Sequence, residues 1–263
     1  MRYLFWNTAK EQVDDEIVSL IVEYQADIVG LAEYRGNIAF ILDELLKYNV
    51  EMEIFPSILD QTDKICIISK IPKHKVSIHR TYKNYSIYTI PHKRLGMHII
   101  AFVHLPAKNS GSDHLNLYSI QKLKDDLTEI LNDEQDEQEI IVVGDFNLNP
   151  FDTNMVSLLG MNAISSRREV LTKSGKRSEL LFYNPMWNLL GDVLLPEGTY
   201  YYKQATPENN FWHMLDQVII SKGVIDFWDD TKLKIVTKIQ GKDLHNKNGK
   251  PKVSDHFPLY FEV

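Results

Sequence analysis

Continuous apolar runs that end abruptly in a polar residue recur along the chain. The sharpest spans residues 140–143 and is followed by Gly144, Asp145, Phe146 and Asn147. An apolar run with no polar alternation predicts a strand buried on both faces, and layered α/β proteins keep their sites at the carboxyl ends of such strands. Because side chains alternate along an extended segment, we expect Asp145 and Asn147 to face one point. A carboxylate and an amide there suit a cation or a phosphate, but the same residues also cap ordinary strand exits.

The same pattern predicts most of the remaining elements. Strands are expected over 1–7, 26–31, 97–103, 214–220 and 259–263, and helices over 10–24, 38–47 and around 120–131. Residues 51–105 contain strand-like segments punctuated by prolines. Residues 165–197 have no clear period, and we interpret them as a variable loop region. No repeat or linker marks a second domain, so one domain over 1–263 is predicted.

Isolated polar residues stand at or near the ends of these predicted strands. They are Asn7, Glu33, His104, Asp145, Asn147, Asp216, Asp255 and His256. Several have an ordinary structural explanation: Asn7 can cap a helix, Glu33 can pair with a lysine, and His104 can be a core histidine. Asp216 is harder to explain in this way, because a carboxylate within a buried strand needs a partner. Their repetition along one chain indicates a shared polar site.

Composition narrows the class of protein. The chain has 263 residues, 44% of them hydrophobic, which is enough for a large core. No apolar run approaches membrane-spanning length and no charged-then-apolar leader is present, so we expect a soluble cytoplasmic protein with no membrane partner. Cys66 is the single cysteine; it cannot form an internal disulfide, and we interpret it as a small core residue.

Charge is distributed unevenly along the chain. The formal net charge is −7, yet residues 64–94 contain lysines and arginines but no Asp or Glu, with Tyr82, Tyr85 and Tyr88 interleaved. A second basic group spans 242–252. Such stretches suit a phosphate backbone with tyrosines available for base stacking, although lysines also line the solvated faces of hairpins.

Taken together and in order, these motifs resemble the endonuclease/exonuclease/phosphatase superfamily, which has the deoxyribonuclease-I-like fold. The strongest are Gly-Asp-Phe-Asn at 144–147 and Ser-Asp-His at 254–256, supported by Trp6-Asn7, Leu31-Ala32-Glu33, His104-Leu105 and Leu215-Asp216. The resemblance implies an α/β fold, a four-layered α/β sandwich in which two mixed β-sheets pack face to face with helices outside. It also implies hydrolysis of phosphodiesters or phosphomonoesters with Mg²⁺ or Mn²⁺.

The resemblance further implies roles for the strand-end residues. Glu33 is expected to be the main metal ligand, with Asn7 and Asp255 beside it. Asp145 and Asn147 would orient the attacking water and contact the scissile phosphate, and Asp216 and His256 would form a carboxylate–imidazole pair. His104 matches a position that donates a proton or contacts the phosphate. Whether Asp145 or His256 activates the water stays open.

The function predicted from these features is a Mg²⁺-dependent phosphodiesterase acting on nucleic acid, either DNA or RNA. A metal-dependent phosphatase or phosphodiesterase of a small or lipid-linked phosphate is the alternative, while an inactive partner-binding scaffold and a purely structural protein rank lower. Ala9, Met214 and Gln217 depart from the pattern of the abasic-site endonuclease branch and argue against abasic-site repair. Residues 165–197 and 241–252 are expected to set substrate choice.

Overall fold

The computed structural model describes the chain except residues 57–64, 108–112, 134–137, 174–179 and 205–210. The helices in this part are α1 (Asp14–Tyr24), α2 (Ile38–Leu46), α3 (Asp113–Asp133), α4 (Thr153–Val156), α5 (Arg167–Lys173) and α6 (Lys222–Ile225). The strands begin with β1 (Arg2–Asn7), β2 (Ile28–Ala32), β3 (Glu53–Ile54), β4 (Ile65–Ser69), β5 (Ser77–Thr81), β6 (Tyr85–His92), β7 (Gly96–His104) and β8 (Ile140–Asp145). They continue with β9 (Ala163–Ile164), β10 (Phe182–Tyr183), β11 (Tyr200–Tyr201), β12 (Trp212–His213), β13 (Asp216–Ile220), β14 (Lys234–Ile235), β15 (Lys238–Ile239), β16 (Lys242–Asp243) and β17 (Leu259–Glu262).

Two large mixed sheets organise these strands. The first has the order β14-β17-β1-β2-β4-β3, and the second has the order β5-β6-β7-β8-β13-β10-β9. In the first sheet β1 and β2 are parallel, and in the second β7 and β8 are parallel, while their other neighbours are antiparallel. Two short ribbons, β11-β12 and β15-β16, complete the described strands.

The two sheets pack face to face, and helices cover their outer faces. Tyr3 and Phe5 of the first sheet share one buried cluster with Phe102 and Val143 of the second. A second cluster joins α1 and α2 to the outer face of the first sheet, and a third joins α3 to the outer face of the second. This arrangement confirms the predicted four-layered α/β sandwich. The single-domain assignment stays a prediction.

The two sheets approach each other closely at Gly30 of β2. A Cβ atom at this position would lie 2.6 Å from the ring of Phe102 and 3.2 Å from the ring of Phe5. Such distances are below van der Waals contact, so a side chain here would force the sheets apart. The small residue lets the aromatic rings of both sheets fill the interior.

Two expectations about local structure are wrong. The first helix begins at Asp14, four residues later than expected, because Ala9 and Lys10 have left-handed φ values of 50° and 66° that a helix cannot include. The described residues of the 165–197 segment, 165–173 and 180–197, are not only loop: α5 and β10 lie among them, and β10 pairs with both β13 and β9. A two-residue strand is too short to show an alternation of apolar and polar residues in the sequence, so only its pairing reveals it.

The described residues include no helix that is both long and apolar enough to cross a membrane.

Candidate active site

Three neighbouring strands of the second sheet place polar side chains in one row. His104 of β7 and Asp216 of β13 both pair in register with Asp145 of β8, which lies between them. All three residues are buried. Residues directly opposite each other on adjacent strands point to the same face, so the pairing brings an imidazole and two carboxylates together. The prediction that these strand ends share a site therefore agrees with the sheet register.

The first sheet contributes Asn7 and Glu33 from the ends of β1 and β2. The Asn7 amide donates a hydrogen bond from Nδ2 to Asp145 Oδ2 at 2.9 Å and so joins the two sheets. Glu33 Oε1 lies 3.5 Å from His104 Nε2, and the same nitrogen lies 3.8 Å from Asp145 Oδ2. Glu33 Oε2 also pairs with Lys10 Nζ at 3.1 Å. The carboxylate of Glu33 is partly open to solvent, whereas that of Asp145 is enclosed.

A carboxylate–imidazole pair forms between Asp216 and the carboxyl-terminal motif. Asp216 Oδ2 lies 2.7 Å from His256 Nδ1, and neither residue is exposed. Trp6 Nε1 donates to the backbone oxygen of His256 at 3.0 Å, and the Tyr200 ring lies 4.7 Å from the imidazole ring. Asp216 and Tyr200 therefore contact the imidazole itself, whereas Trp6 holds the backbone of the same residue. The imidazole Nε2 lies 3.8 Å from Asp255 Oδ1, on an exposed residue.

The Asp216 carboxylate determines the charge of His256. Burial lowers the pKa of His256, but the charge of Asp216 and its hydrogen bond outweigh burial and raise that pKa to about 9. The imidazole is therefore cationic at neutral pH and carries a proton on both nitrogens. Burial also raises the pKa of the Asp145 carboxyl; the His256 charge opposes this rise, and Asp216 adds to it. The site thus holds a fixed cation beside a carboxyl that is easier to protonate than usual.

Unusual backbone conformations surround the site. Glu33 and Asn147 both have a φ of 51°, in the left-handed region that residues other than glycine seldom occupy. Gly144 has φ of 150°, and a Cβ atom there would lie 2.0 Å from the backbone oxygen of Val103, so this position of the Gly-Asp-Phe-Asn motif requires glycine. The motif therefore shapes the backbone as well as supplying side chains.

The strand ends at Asp145, so the alternation expected to carry Asn147 to the same face stops before it. Asn147 instead turns back: its backbone N–H donates to Asp145 Oδ1 at 2.8 Å, and its Nδ2 donates to the Leu105 oxygen at 2.8 Å. The Asn147 backbone is next to the Asp145 carboxylate because of this turn and not because of strand geometry. Phe146 is fully buried in the core, as expected.

Two carboxylates and an imidazole form the tightest group of possible metal ligands in the described residues. One ligand atom from each of Asp145, Asp216 and His256 lies within 4.8 Å of the others. Because His256 is hydrogen-bonded to Asp216 and cationic, it is a poor ligand there. Magnesium prefers oxygen donors and keeps bound water, so the chemistry of the Glu33 and Asp255 carboxylates and of the Asn7 amide oxygen fits a hard divalent cation. Of these residues, Glu33 has a carboxylate that is partly open to solvent.

Sequence analysis missed Lys10, Thr199 and Tyr200. Lys10 pairs with Glu33, and Thr199 Oγ1 accepts the backbone N–H of Asp216 at 3.0 Å. Tyr200 covers the His256 ring. No motif marks these residues, and Thr199 and Tyr200 follow directly on the segment without a clear period.

The role expected for two tyrosines of residues 64–94 is wrong. Tyr85 and Tyr88 are each 2% exposed and unavailable for base stacking. The Tyr85 hydroxyl donates to Asp126 of α3, and Tyr88 packs edge-on against Phe55. Only Tyr82 of the three is exposed, and Lys122 Nζ lies 4.7 Å from its ring centroid.

Solved structures with this fold come from several organisms. Danio rerio TDP2 complexed with a single-strand DNA product is 16% identical, with 99% of this chain and 97% of that chain covered and a TM-score of 0.57. The human Nocturnin catalytic domain with a bound sulfate anion is 17% identical, with coverages of 99% and 93% and a TM-score of 0.54. A mannosyl-6-phosphatase from Bacteroides thetaiotaomicron is 11% identical, with coverages of 100% and 98% and a TM-score of 0.54. At these identities the similarity shows the fold alone.

Sequence comparison shows the family. No curated protein sequence matches the chain. The family model described as Endonuclease/Exonuclease/phosphatase family matches residues 4–256, a span that includes all eight strand-end residues. The chain therefore belongs to the endonuclease/exonuclease/phosphatase family.

Proposed function

We propose that this protein is a divalent-metal-dependent phosphodiesterase that hydrolyses nucleic acid. Members of its family hydrolyse phosphate esters. The observation that supports catalysis most directly is the buried Asp216–His256 pair at 2.7 Å, placed beside Asp145 in the row of strand ends. A buried cation next to a carboxyl of raised pKa is typical of active sites that stabilise negative charge and transfer protons.

The electrostatics suggest how the proton roles are divided. His256 is cationic at neutral pH, so it has no vacant nitrogen to take a proton from water. We therefore propose that Asp145 accepts a proton from the attacking water. His256 Nε2 would donate to a phosphate oxygen. Asp216 keeps His256 charged and oriented. Asn7 and the backbone N–H of Asn147 each donate to Asp145 and hold its carboxylate in place.

Glu33, with Asn7 and Asp255, would hold the divalent metal. When bound, the metal would neutralise charge on the phosphate and help to position the water. His104 Nε2 lies between the Glu33 and Asp145 carboxylates, where we assign it a contact with the phosphate. Asn147 lies beside Asp145 at the same edge and receives the same assignment.

Nucleic acid is the favoured substrate because basic residues lie close to the carboxyl-terminal Ser-Asp-His motif of the site. Lys250 and Lys252 closely precede Ser254, and the fold is shared with a protein complexed with a single-strand DNA product. The competing substrate class is a small phosphate ester, which the name of the Bacteroides structure favours. The overall acidity of this chain is no obstacle to that class.

The test is hydrolysis of labelled single- and double-stranded DNA and RNA, with Mg²⁺, Mn²⁺ or a chelator. Glu33→Gln and Asp145→Asn are each expected to lower cleavage about a hundredfold or more. Glu44→Gln is the matched control, because Glu44 pairs with Lys47 on the surface of α2 and touches no site residue.

The outcomes separate the candidates. Cleavage that persists in the chelator, or in both site variants, would contradict the proposal. If the wild-type protein cleaves no polymer but hydrolyses sugar phosphates or phosphoinositides with metal, the small-substrate alternative replaces it. If it hydrolyses neither, the chain is an inactive family member.

A further inference from the structure

A pocket of about 560 Å³ opens beside the carboxyl-terminal motif. Its walls come from the β11-β12 ribbon, the turn at 246–252 and the motif itself, and they include Tyr201, Lys203, Lys250, Lys252, Ser254 and Asp255. Protein pockets of this volume hold small organic ligands rather than single ions. The space is large enough for a phosphate together with a sugar.

Lysines dominate the charge of this pocket. Lys203, Lys250 and Lys252 line it, against the two carboxylates of Glu11 and Asp255. The three lysines outnumber the two carboxylates, so the lining has a net positive charge with or without a bound metal. A pocket with this balance attracts an anionic group.

Lys250 is held in position rather than extended freely into solvent. Its Nζ lies 3.8 Å from the centroid of the Tyr201 ring, a cation–π contact. Asn246 N donates to the Lys250 backbone oxygen at 2.8 Å, and Asn246 Oδ1 accepts the Lys250 backbone N–H at 3.3 Å. A cation positioned in advance loses less side-chain freedom when it binds an anion.

The pocket is continuous with the candidate active site. Ser254 lines it and donates a hydrogen bond from Oγ to the backbone oxygen of Asn7 at 2.8 Å. Asp255 lines it as well, and its Oδ1 lies 3.8 Å from His256 Nε2. Asp255 therefore belongs both to the pocket lining and to the surroundings of the His256 imidazole.

We infer that this pocket is a subsite for the nucleotide next to the scissile phosphate, with Lys250 and Lys252 binding its phosphate. This inference rests on the proposed function and narrows it: a substrate strand leaves the site over Asp255. The lysines would contribute to binding and not to the chemical step. Single-phosphate substrates would gain nothing from them.

The experiment compares wild type with Lys250→Gln and Lys252→Gln on two substrates. One is an eight-nucleotide oligothymidylate, and the other is bis(p-nitrophenyl) phosphate, which has a single phosphate. Each variant is expected to raise KM for the oligonucleotide roughly tenfold with kcat nearly unchanged, and to leave hydrolysis of the small diester unaltered. Lys47→Gln is the matched control, because Lys47 follows α2 and pairs with Glu44 away from the site.

Salt dependence gives a second measurement of the same interaction. The logarithm of oligonucleotide affinity should fall less steeply with the logarithm of salt in each variant. The slope should be shallower by about 0.7, because one phosphate is no longer neutralised by a lysine. An unchanged KM and slope in both variants would overturn the inference. An equal loss on both substrates would also overturn it, because the lysines would then act on the chemical step or on folding.

Failure of the proposed function would be recognised separately. If wild type hydrolyses neither substrate, binding of fluorescein-labelled oligothymidylate in a chelator still tests the pocket. Weaker binding with a shallower salt slope in the two variants would support the subsite without catalysis, and binding equal to that of wild type would reject it.

Discussion

His98 and His256 are both buried, yet they have opposite electrostatic character. His98 lies near the start of β7, at the end of the second sheet opposite to His104 and the site. Burial lowers the pKa of His98 to about 3, and His92 adds to that effect. Burial acts in the same direction on His256, but the Asp216 carboxylate at 2.7 Å reverses it and raises the pKa of His256 to about 9. The partner, and not the burial, decides the charge.

The two ends of the sheet therefore have different tasks. His98 itself contacts a neutral group, because the Tyr3 hydroxyl lies 3.2 Å from His98 Nε2. At the site end, charged groups are held in a buried place, an arrangement that stabilises a fold poorly but suits catalysis. Under the proposed function the site end performs the chemistry, and we expect the opposite end to contribute to stability. Four predictions test this comparison.

The largest effect is expected from Asp216→Asn. An amide cannot hold His256 in its cationic form, so activity should fall by about 10² to 10⁴. Hydrolysis of an oligonucleotide measures it, with Asp226→Asn at an exposed helix end as the matched control. Circular dichroism must show that the variant is folded. A folded variant with full activity would remove Asp216 from the proposed mechanism.

The pH profile of the wild-type protein tests the same pair without mutation. Activity should fall as pH rises through about 9, roughly tenfold for each further pH unit, because His256 then loses the proton assigned to the phosphate oxygen. An NMR titration of the His256 ring should show the same midpoint, and Asp216→Asn should shift it toward 6.5. A ring that titrates near 6.5 in the wild-type protein would contradict the comparison.

His98, at the opposite end of the sheet, is expected to affect the pH dependence of stability, because its pKa is shifted in the direction opposite to that of His256. His98 stays neutral in the folded protein, while the unfolded chain takes up a proton below about pH 6.5. Stability therefore rises with pH in this window and is lost as pH falls from 6.5 toward 3. His98→Gln should remove about 1 kcal/mol of the stability difference between pH 6 and pH 5.

Urea unfolding at pH 7, 6 and 5 measures that difference, with exposed His74→Gln as the control that should leave it unchanged. A His98 variant whose stability still falls with pH as steeply as that of wild type would show that His98 is protonated in the folded protein.

The smallest effect is expected from Tyr3→Phe. This change removes the hydroxyl next to His98 Nε2 and should lower the free energy of unfolding by about 1 kcal/mol at pH 7. Activity should not change, since Tyr3 lies outside the site. Exposed Tyr118→Phe should change stability by less than about 0.5 kcal/mol. A loss of activity in Tyr3→Phe would mean that the two ends of the sheet are not independent.

Most of the large strands and the candidate site could be expected from the chain itself. Apolar runs such as 140–143 mark buried strands, and a polar residue at the end of each run marks the edge where strands meet. Asp145 was expected on this basis and Asp216 as a carboxylate within a buried strand, and the register places them opposite each other. The family motifs occur in the family's order along the chain, and they lie within the matched span of 4–256.

Other features depend on contacts between distant residues. Tyr85 and Tyr88 look like exposed stacking residues in a basic stretch, but they are buried against residues from other elements. The short strand β10 exists only because β9 and β13 pair with it. Local sequence holds no record of such partners.

The sequence by itself determined most of the large strands and helices and the identities of the polar strand ends, because hydrophobic patterning is a local property of the chain. The layered α/β architecture was implied by the resemblance of its motifs to the family. Only the tertiary structure decided the burial of the Asp216–His256 pair, the pairing of Lys10 with Glu33 and the pocket formed around Lys250. A pKa and a pocket depend on distances of a few ångströms between residues far apart in sequence. Those distances are set when the two sheets pack.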